Sequence, residues 1–207
     1  MYNILSLKGK IITIPHTHPT MKIKTSYLLL LFCFQFSLAQ SNDQSILKTI
    51  LLRYYKTEKP VYKGRSQLLY LYCNRANNNE ELLEAIQGSK LPDDFRKEIR
   101  SKISTDVADK DWLSELDGIY TTDKSNLKQK IGECLSVDKY HEVSRRLNLN
   151  NQRLMIISKP LYYSKSNIAL VKVVFYRNIE HNNGAILLLE KVGTDWTIKD
   201  YLNPWST

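Results

Sequence analysis

The sequence predicts an α+β fold in which an N-terminal helical segment packs on a C-terminal four-stranded antiparallel meander. From Ser41 to about Asn150 apolar residues recur at three- and four-residue steps, the signature of amphipathic helices. After Asn151 the texture changes to β-branched and aromatic runs bounded by turn residues, the signature of strands. Helices first and strands last, without alternation, point to α+β packing and not to a doubly wound parallel sheet. The 207 residues hold 43% hydrophobic and 25% charged side chains with only 7 Gly and 6 Pro, a balance that excludes collagen-like, coiled-coil and wholly disordered chains.

The first helix rests on Ile46, Leu47, Ile50, Leu51 and Tyr54 behind the capping candidates Ser41, Asn42 and Asp43. A second, from Glu80 to Ile86, follows Asn77-Asn78-Asn79 and stops at Gly88; a third follows Pro92, with Leu91, Phe95, Ile99 and Ile103 at four-residue steps. Trp112, Leu113 and Leu116 predict a short fourth helix. Leu127, Ile131 and Leu135, then Tyr140, Val143 and Leu147, predict two more. The apolar run Leu68–Cys73 is too short for periodicity to separate buried strand from helix. The strands are expected at about 153–158, 168–177, 185–190 and 194–201. Their loops are short, Lys191-Val192-Gly193 being the tightest, and short sequential connections imply antiparallel pairing. The expected organisation is an upstream extension over 1–20, a signal peptide over 21–39, a mainly helical part over 40–150 and a β part of the same domain over 151–207.

The compartment is read from the segment that begins at Met21. Lys22 and Lys24 make a charged n-region, Tyr27–Phe34 a short apolar core, and Ser37 and Ala39 supply small residues for cleavage before Gln40. That core falls well below the roughly 20 residues of a spanning helix, so no transmembrane segment is expected in the mature chain. Phe32 precedes Cys33 where a lipobox needs a small residue. The pair His16 and His18 lacks the further ligands of a tetrahedral metal site. The whole chain carries 30 Lys+Arg against 21 Asp+Glu, but residues 1–40 contain four lysines and no acid, leaving 26 against 21, or +5. Those charges are interleaved, as in Asp93, Asp94, Arg96, Lys97, Glu98 and Arg100, and form no basic stripe of the kind nucleic acid requires. The expected location is periplasmic or secreted, with no nucleic-acid partner and no cofactor.

Ser158-Lys159-Pro160, Ala169-Leu170-Val171, Gly184 with Leu187-Leu188-Leu189-Glu190-Lys191, and Gly193-Thr194-Asp195-Trp196-Thr197-Ile198 resemble a loose group of uncharacterised exported proteins of Bacteroidota. The resemblance covers about a quarter of the chain, rests on strand and turn elements, and implies an envelope location without an activity.

Among motifs that carry chemistry, the sequence has no Gly-rich phosphate loop, nucleophile elbow, His-Glu-x-x-His or Cys-x-x-Cys. After processing, Cys73 and Cys134 are the two remaining cysteines, an even count that favours a disulfide in an oxidising compartment; the competing readings leave both as free structural thiols or make Cys134 a thiolate with His141 as its base. His181 sits beside Glu180 in a polar loop and could act as an acid/base pair. The second strand places Ala169, Val171, Val173 and Phe175 on one face, expected to meet the helical layer. Ile168, Leu170, Lys172, Val174 and Tyr176 lie on the other. Several apolar side chains left in water would forgo roughly 1.5 to 3 kcal/mol each, so the Lys172 face also needs a cover. The candidates are the N-terminal helix or the Leu68–Cys73 run, a second copy, or a ligand held by Lys172, Tyr176 and His181. The expected role is a non-catalytic module that binds a small ligand or an envelope protein. The alternatives are a small hydrolase using His141 or His181 and a self-associating structural protein, a homodimer being its simplest form.

Overall fold

The computed structural model describes residues 41–57, 61–62, 65–66, 68–103, 110–148 and 151–207. The expected extension and signal peptide, with His16, His18 and Cys33, lie outside the described residues. Helix α1 spans Asn42–Leu52, capped by Ser41, whose Oγ accepts from the Gln44 amide at 3.1 Å, and runs on into a π-helical turn over Arg53–Thr57. Two short strands, β1 (Val61–Tyr62) and β2 (Arg65–Ser66), pair with each other, and β3 spans Leu68–Leu71. Five helices follow: α2 Glu80–Ala85, α3 Asp93–Ile103, α4 Leu113–Thr122, α5 Leu127–Ile131 and α6 Val137–Leu147. The chain ends in β4 Gln152–Ile157, β5 Leu161–Tyr162, β6 Ile168–Tyr176, β7 Asn182–Val192 and β8 Asp195–Ser206.

The α+β class holds, but the sheet is not a four-stranded antiparallel meander. It has six strands in mixed orientation, ordered β3-β4-β6-β7-β8, with β5 also on β6. The antiparallel core β4-β6-β7-β8 is joined by β3, which runs parallel to β4 with Leu68 opposite Gln152 and Leu71 opposite Met155. Four apolar residues carry no period of their own; what makes them a strand is a partner far along the chain. β5 resumes the line of β4 after Pro160, which cannot donate a ladder hydrogen bond, and pairs Leu161 and Tyr162 with Leu170 and Ala169. β7 and β8 turn at Gly193, whose φ of +64° suits glycine, and both run longer than the sequence predicts.

Both faces of the sheet are covered. Ala169, Val171 and Val173, with Met155, Ile157, Leu187 and Leu189, pack on Ile46, Leu47, Ile50 and Leu51 of α1 and on Trp112, Leu116 and Ile119. This is the helical layer expected over the uninterrupted face. On the other face Leu170 and Ile186 pack under Leu82 and Leu83 of α2, Ile86 at its C-cap, and Phe95, Ile99 and Ile103 of α3. The cover of the Lys172 face is therefore the α2–α3 hairpin, not the N-terminal helix or the Leu68–Cys73 run. α3 buries Phe95, Ile99 and Ile103 at four-residue steps and turns Asp93, Lys97 and Arg100 to solvent.

The edges of the sheet are protected in different ways. Beyond β3, Leu135 donates to Leu71 O at 2.7 Å and accepts from the Cys73 amide at 3.1 Å. β8 forms the opposite edge. It is broken by register shifts between Leu188 and Leu189 and between Gly184 and Ile186 on its partner, by Asn203 at φ +43°, and by Pro204. Bulges, proline and charge are the devices that keep an edge strand from recruiting another.

Candidate functional site

The α2–α3 hairpin covers the sheet incompletely and leaves a cleft of about 290 Å³ between α2 and the C-terminal strands, lined by Glu81, Leu82, Ala85, Lys172, Ile186, Asn203 and Trp205. Strand register builds its floor. Lys172 is opposite Ile186 and Ile186 opposite Leu202, while Val174 is opposite Gly184 and Gly184 opposite Trp205. The shift at Asn203 and Pro204 brings Trp205 into line with Gly184, and the indole folds over the glycine. A Cβ at Gly184 would stand 2.5 Å from Trp205 Cζ2 and 2.5 Å from Val173 O, so the lack of a side chain makes the seat for the ring.

Lys172 supplies the charge. Its side chain is only 18% exposed, and Nζ donates to Glu81 Oε2 at 2.9 Å, the acid being 73% exposed in the first turn of α2. The bond from Lys172, and then one from Asn79, hold the Glu81 carboxyl below its ordinary range. The cleft thus joins an ion pair at its mouth, an amide on one wall, an indole, and an aliphatic floor.

The other two residues expected to share this site sit elsewhere. Tyr176 is on the same face as Lys172 but four residues along β6, roughly 13 Å at strand rise, and packs against α6. Its hydroxyl lies 3.1 Å from His141 Nε2. Tyr140 packs edge-on to Tyr70 and Tyr176, its hydroxyl 3.3 Å from Gln152 O. Burial pushes that hydroxyl up to about 12. The group closes one end of the sheet with aromatic rings. His181 lies on the exposed β6–β7 loop, where Asn178 Oδ1 accepts from the amides of Glu180 at 3.1 Å and His181 at 2.8 Å, and where His181 Nδ1 stands 3.2 Å from the same oxygen. The three residues do not converge on one ligand.

Cys73 and Cys134 form a disulfide, with Cα atoms 5.0 Å apart. This corrects the thiolate reading: a sulfur in a disulfide is no nucleophile, and His141 pairs with Tyr176. Among the described residues no group of three or more His, Cys, Asp or Glu could hold a metal ion, and no helix is long and apolar enough to cross a membrane.

A second polar centre is invisible in the sequence. Arg75, its side chain 7% exposed, donates from Nη1 to Asp43 Oδ2 at 2.5 Å, from Nη2 to Glu115 Oε1 at 2.6 Å and from Nε to Asp111 O at 3.2 Å. Its guanidinium lies 4.3 Å from the centre of the Trp112 ring, and the Tyr162 hydroxyl donates to Asp43 Oδ1. One cation thereby joins the start of α1, the segment after β3, α4 and β5. Nε and both terminal nitrogens of the fork donate to protein, and the centre is a clamp.

Comparison with protein-family models, with curated proteins and with solved structures finds no match for this chain.

Proposed function

We propose that this chain is an exported, non-catalytic binding module, periplasmic or secreted, that takes a small ligand in the cleft between α2 and β8. The observation that carries the reading is the cleft itself. A largely buried Lys172 opens onto it beside Trp205, whose ring is seated by Gly184, and few placed polar groups over an apolar floor are what small-molecule sites have in common. Export is supported by the charged, apolar and small-residue segments before Gln40 and by the disulfide, which suits an oxidising compartment. A hydrolase reading has less support, since the His141 ring faces the Tyr176 hydroxyl and the His181 ring an Asn178 amide oxygen, and edge-to-edge association through β8 is opposed by its bulges and Pro204.

Two measurements test the reading. N-terminal sequencing of the protein recovered from the cell envelope or medium should begin at Gln40. A fragment library screened by the amide and indole resonances of the labelled protein should give hits that move Trp205 and its neighbours. Hits confined to other surfaces, or a chain retained in the cytoplasm from Met1 or Met21, would remove the respective half of the proposal.

A further inference from the structure

Resting on that cleft reading, we propose that the ligand is a sugar: a pyranose ring laid on the Trp205 indole, with neighbouring hydroxyls bridging Lys172 Nζ and the Glu81 carboxylate. The charge balance of the cleft selects this class. Lys172 is already neutralised by Glu81 at 2.9 Å, so a carboxylate ligand would have to displace Glu81 and then lie beside it and beside Glu80 and Glu84 of the same short helix. An amine would meet the buried Lys172. A polyol needs neither displacement nor counter-charge. An ammonium has three donors and Lys172 uses one on Glu81, while the carboxylate, which accepts from Lys172 and Asn79, has four lone-pair sites and keeps two of them. One hydroxyl can accept from Lys172 as its neighbour donates to Glu81, both bonds charge-assisted. Asn203 on the opposite wall offers an amide that both donates and accepts.

The apolar half of the cleft fits as well. The indole presents an electron-rich face, which attracts the polarised C–H bonds on the flat side of a pyranose, and Ala85 takes the remaining ring edge, with Ile186 and Leu82 buried beneath. At about 290 Å³ the cleft stands at the small end of ligand sites, which suits one sugar ring and not a drug-sized molecule.

The experiment follows the Trp205 indole N–H, assigned with Trp205→Phe, while the intact protein is titrated with the methyl glycosides of glucose, galactose and mannose. Cyclohexanol, cyclohexanecarboxylate and cyclohexylamine serve as ring-matched controls. At least one glycoside should shift the resonance saturably, with a Kd in the millimolar range and no matching effect from cyclohexanol. Lys172→Met, which keeps the hydrocarbon stem, and Glu81→Gln, which keeps an oxygen to accept from Lys172, should each weaken it by about tenfold or more, the loss expected for a charge-assisted hydrogen bond. If a charged cyclohexane derivative saturates the cleft and the glycosides do not, the sugar assignment is overturned while the cleft remains a binding site. The assignment is likewise overturned if cyclohexanol matches the glycosides or if Glu81→Gln binds unchanged. If no compound moves Trp205 up to about 50 mM, well above a millimolar Kd, the sugar assignment and the cleft reading fall together.

Discussion

Replacing Arg75 by Met keeps the length and apolar stem of the side chain and deletes its charge. Asp43, with 26% of its side chain exposed, and Glu115, with 15%, would then face each other without a cation, and Asp111 O and the Trp112 ring would lose their contacts. Breaking a buried ion pair from one side costs about 3 to 5 kcal/mol, because the abandoned charge stays in a poorly solvated place. The stacking on Trp112 adds to that loss without adding linearly. For a domain of this size each kcal/mol lowers Tm by roughly 2 to 4 °C, so Arg75→Met should melt on the order of 10 °C lower. Urea unfolding followed by tryptophan fluorescence measures the free energy directly. The diagnostic comparison is with Arg75→Met/Asp43→Asn/Glu115→Gln, which removes the stranded charges and leaves hydrogen-bonding side chains, the new amide at position 43 still accepting from the Tyr162 hydroxyl. It should recover more than half of the loss. A single variant that loses less than about 1 kcal/mol, in the range of an exposed pair, or a triple variant no better than the single, would show that the cluster does not clamp the fold.

The Cys73→Ala/Cys134→Ala pair should lose about 4 kcal/mol in denaturant titrations, the chain-entropy value for a link across a sequence separation of 61; an unchanged midpoint would count against it. Gly184→Ala should cost about 1 to 3 kcal/mol, because its Cβ meets the Val173 carbonyl as well as the indole, and should displace the Trp205 indole resonance before any ligand is added. Asp94 is held at about 2 by Lys165, with Tyr163 next, below its unfolded value near 4, so the stability it contributes is present above pH 4 and is lost as pH falls toward 2. Asp94→Asn should therefore flatten the urea midpoint between pH 4 and 2 relative to the unsubstituted protein, and parallel pH profiles would refute the linkage.

Helices α1 and α3 could be read from the sequence because each buries a stripe at three- or four-residue steps. Ile46, Ile50 and Leu51 do so in α1 and Phe95, Ile99 and Ile103 in α3, and such a stripe is a local property. β3 could not, since Leu68–Leu71 becomes a strand through a parallel partner in a distant segment. Lys172 stood out as the single charge on an otherwise apolar strand face, which located one residue of the cleft. The rest of the cleft depends on pairings that no local pattern encodes. Trp205 comes to Gly184 only because β8 slips register at Asn203, and Tyr176 and His181 part from Lys172 because the strand carries one to α6 and the loop carries the other into water. Arg75 was equally hidden. Its partners come from α1, α4 and the segment before α4, so nothing in its own neighbourhood marks it as buried.

The parallel pairing of β3 with β4 also sets an order of events in time. Leu68–Leu71 can find its place only after Gln152–Ile157 has been made, with α2 to α6 already strung between them. Contacts so far apart in sequence carry a large loop-closure penalty before they return any stabilisation, and chains dominated by them fold slowly. The outer bonds from Leu135 to Leu71 and Cys73, and the disulfide they flank, hold the far side of that strand. A chain made only as far as α6 therefore holds no finished sheet. On the export route proposed above, that order suits a passenger that crosses a narrow membrane pore before its cysteines are oxidised.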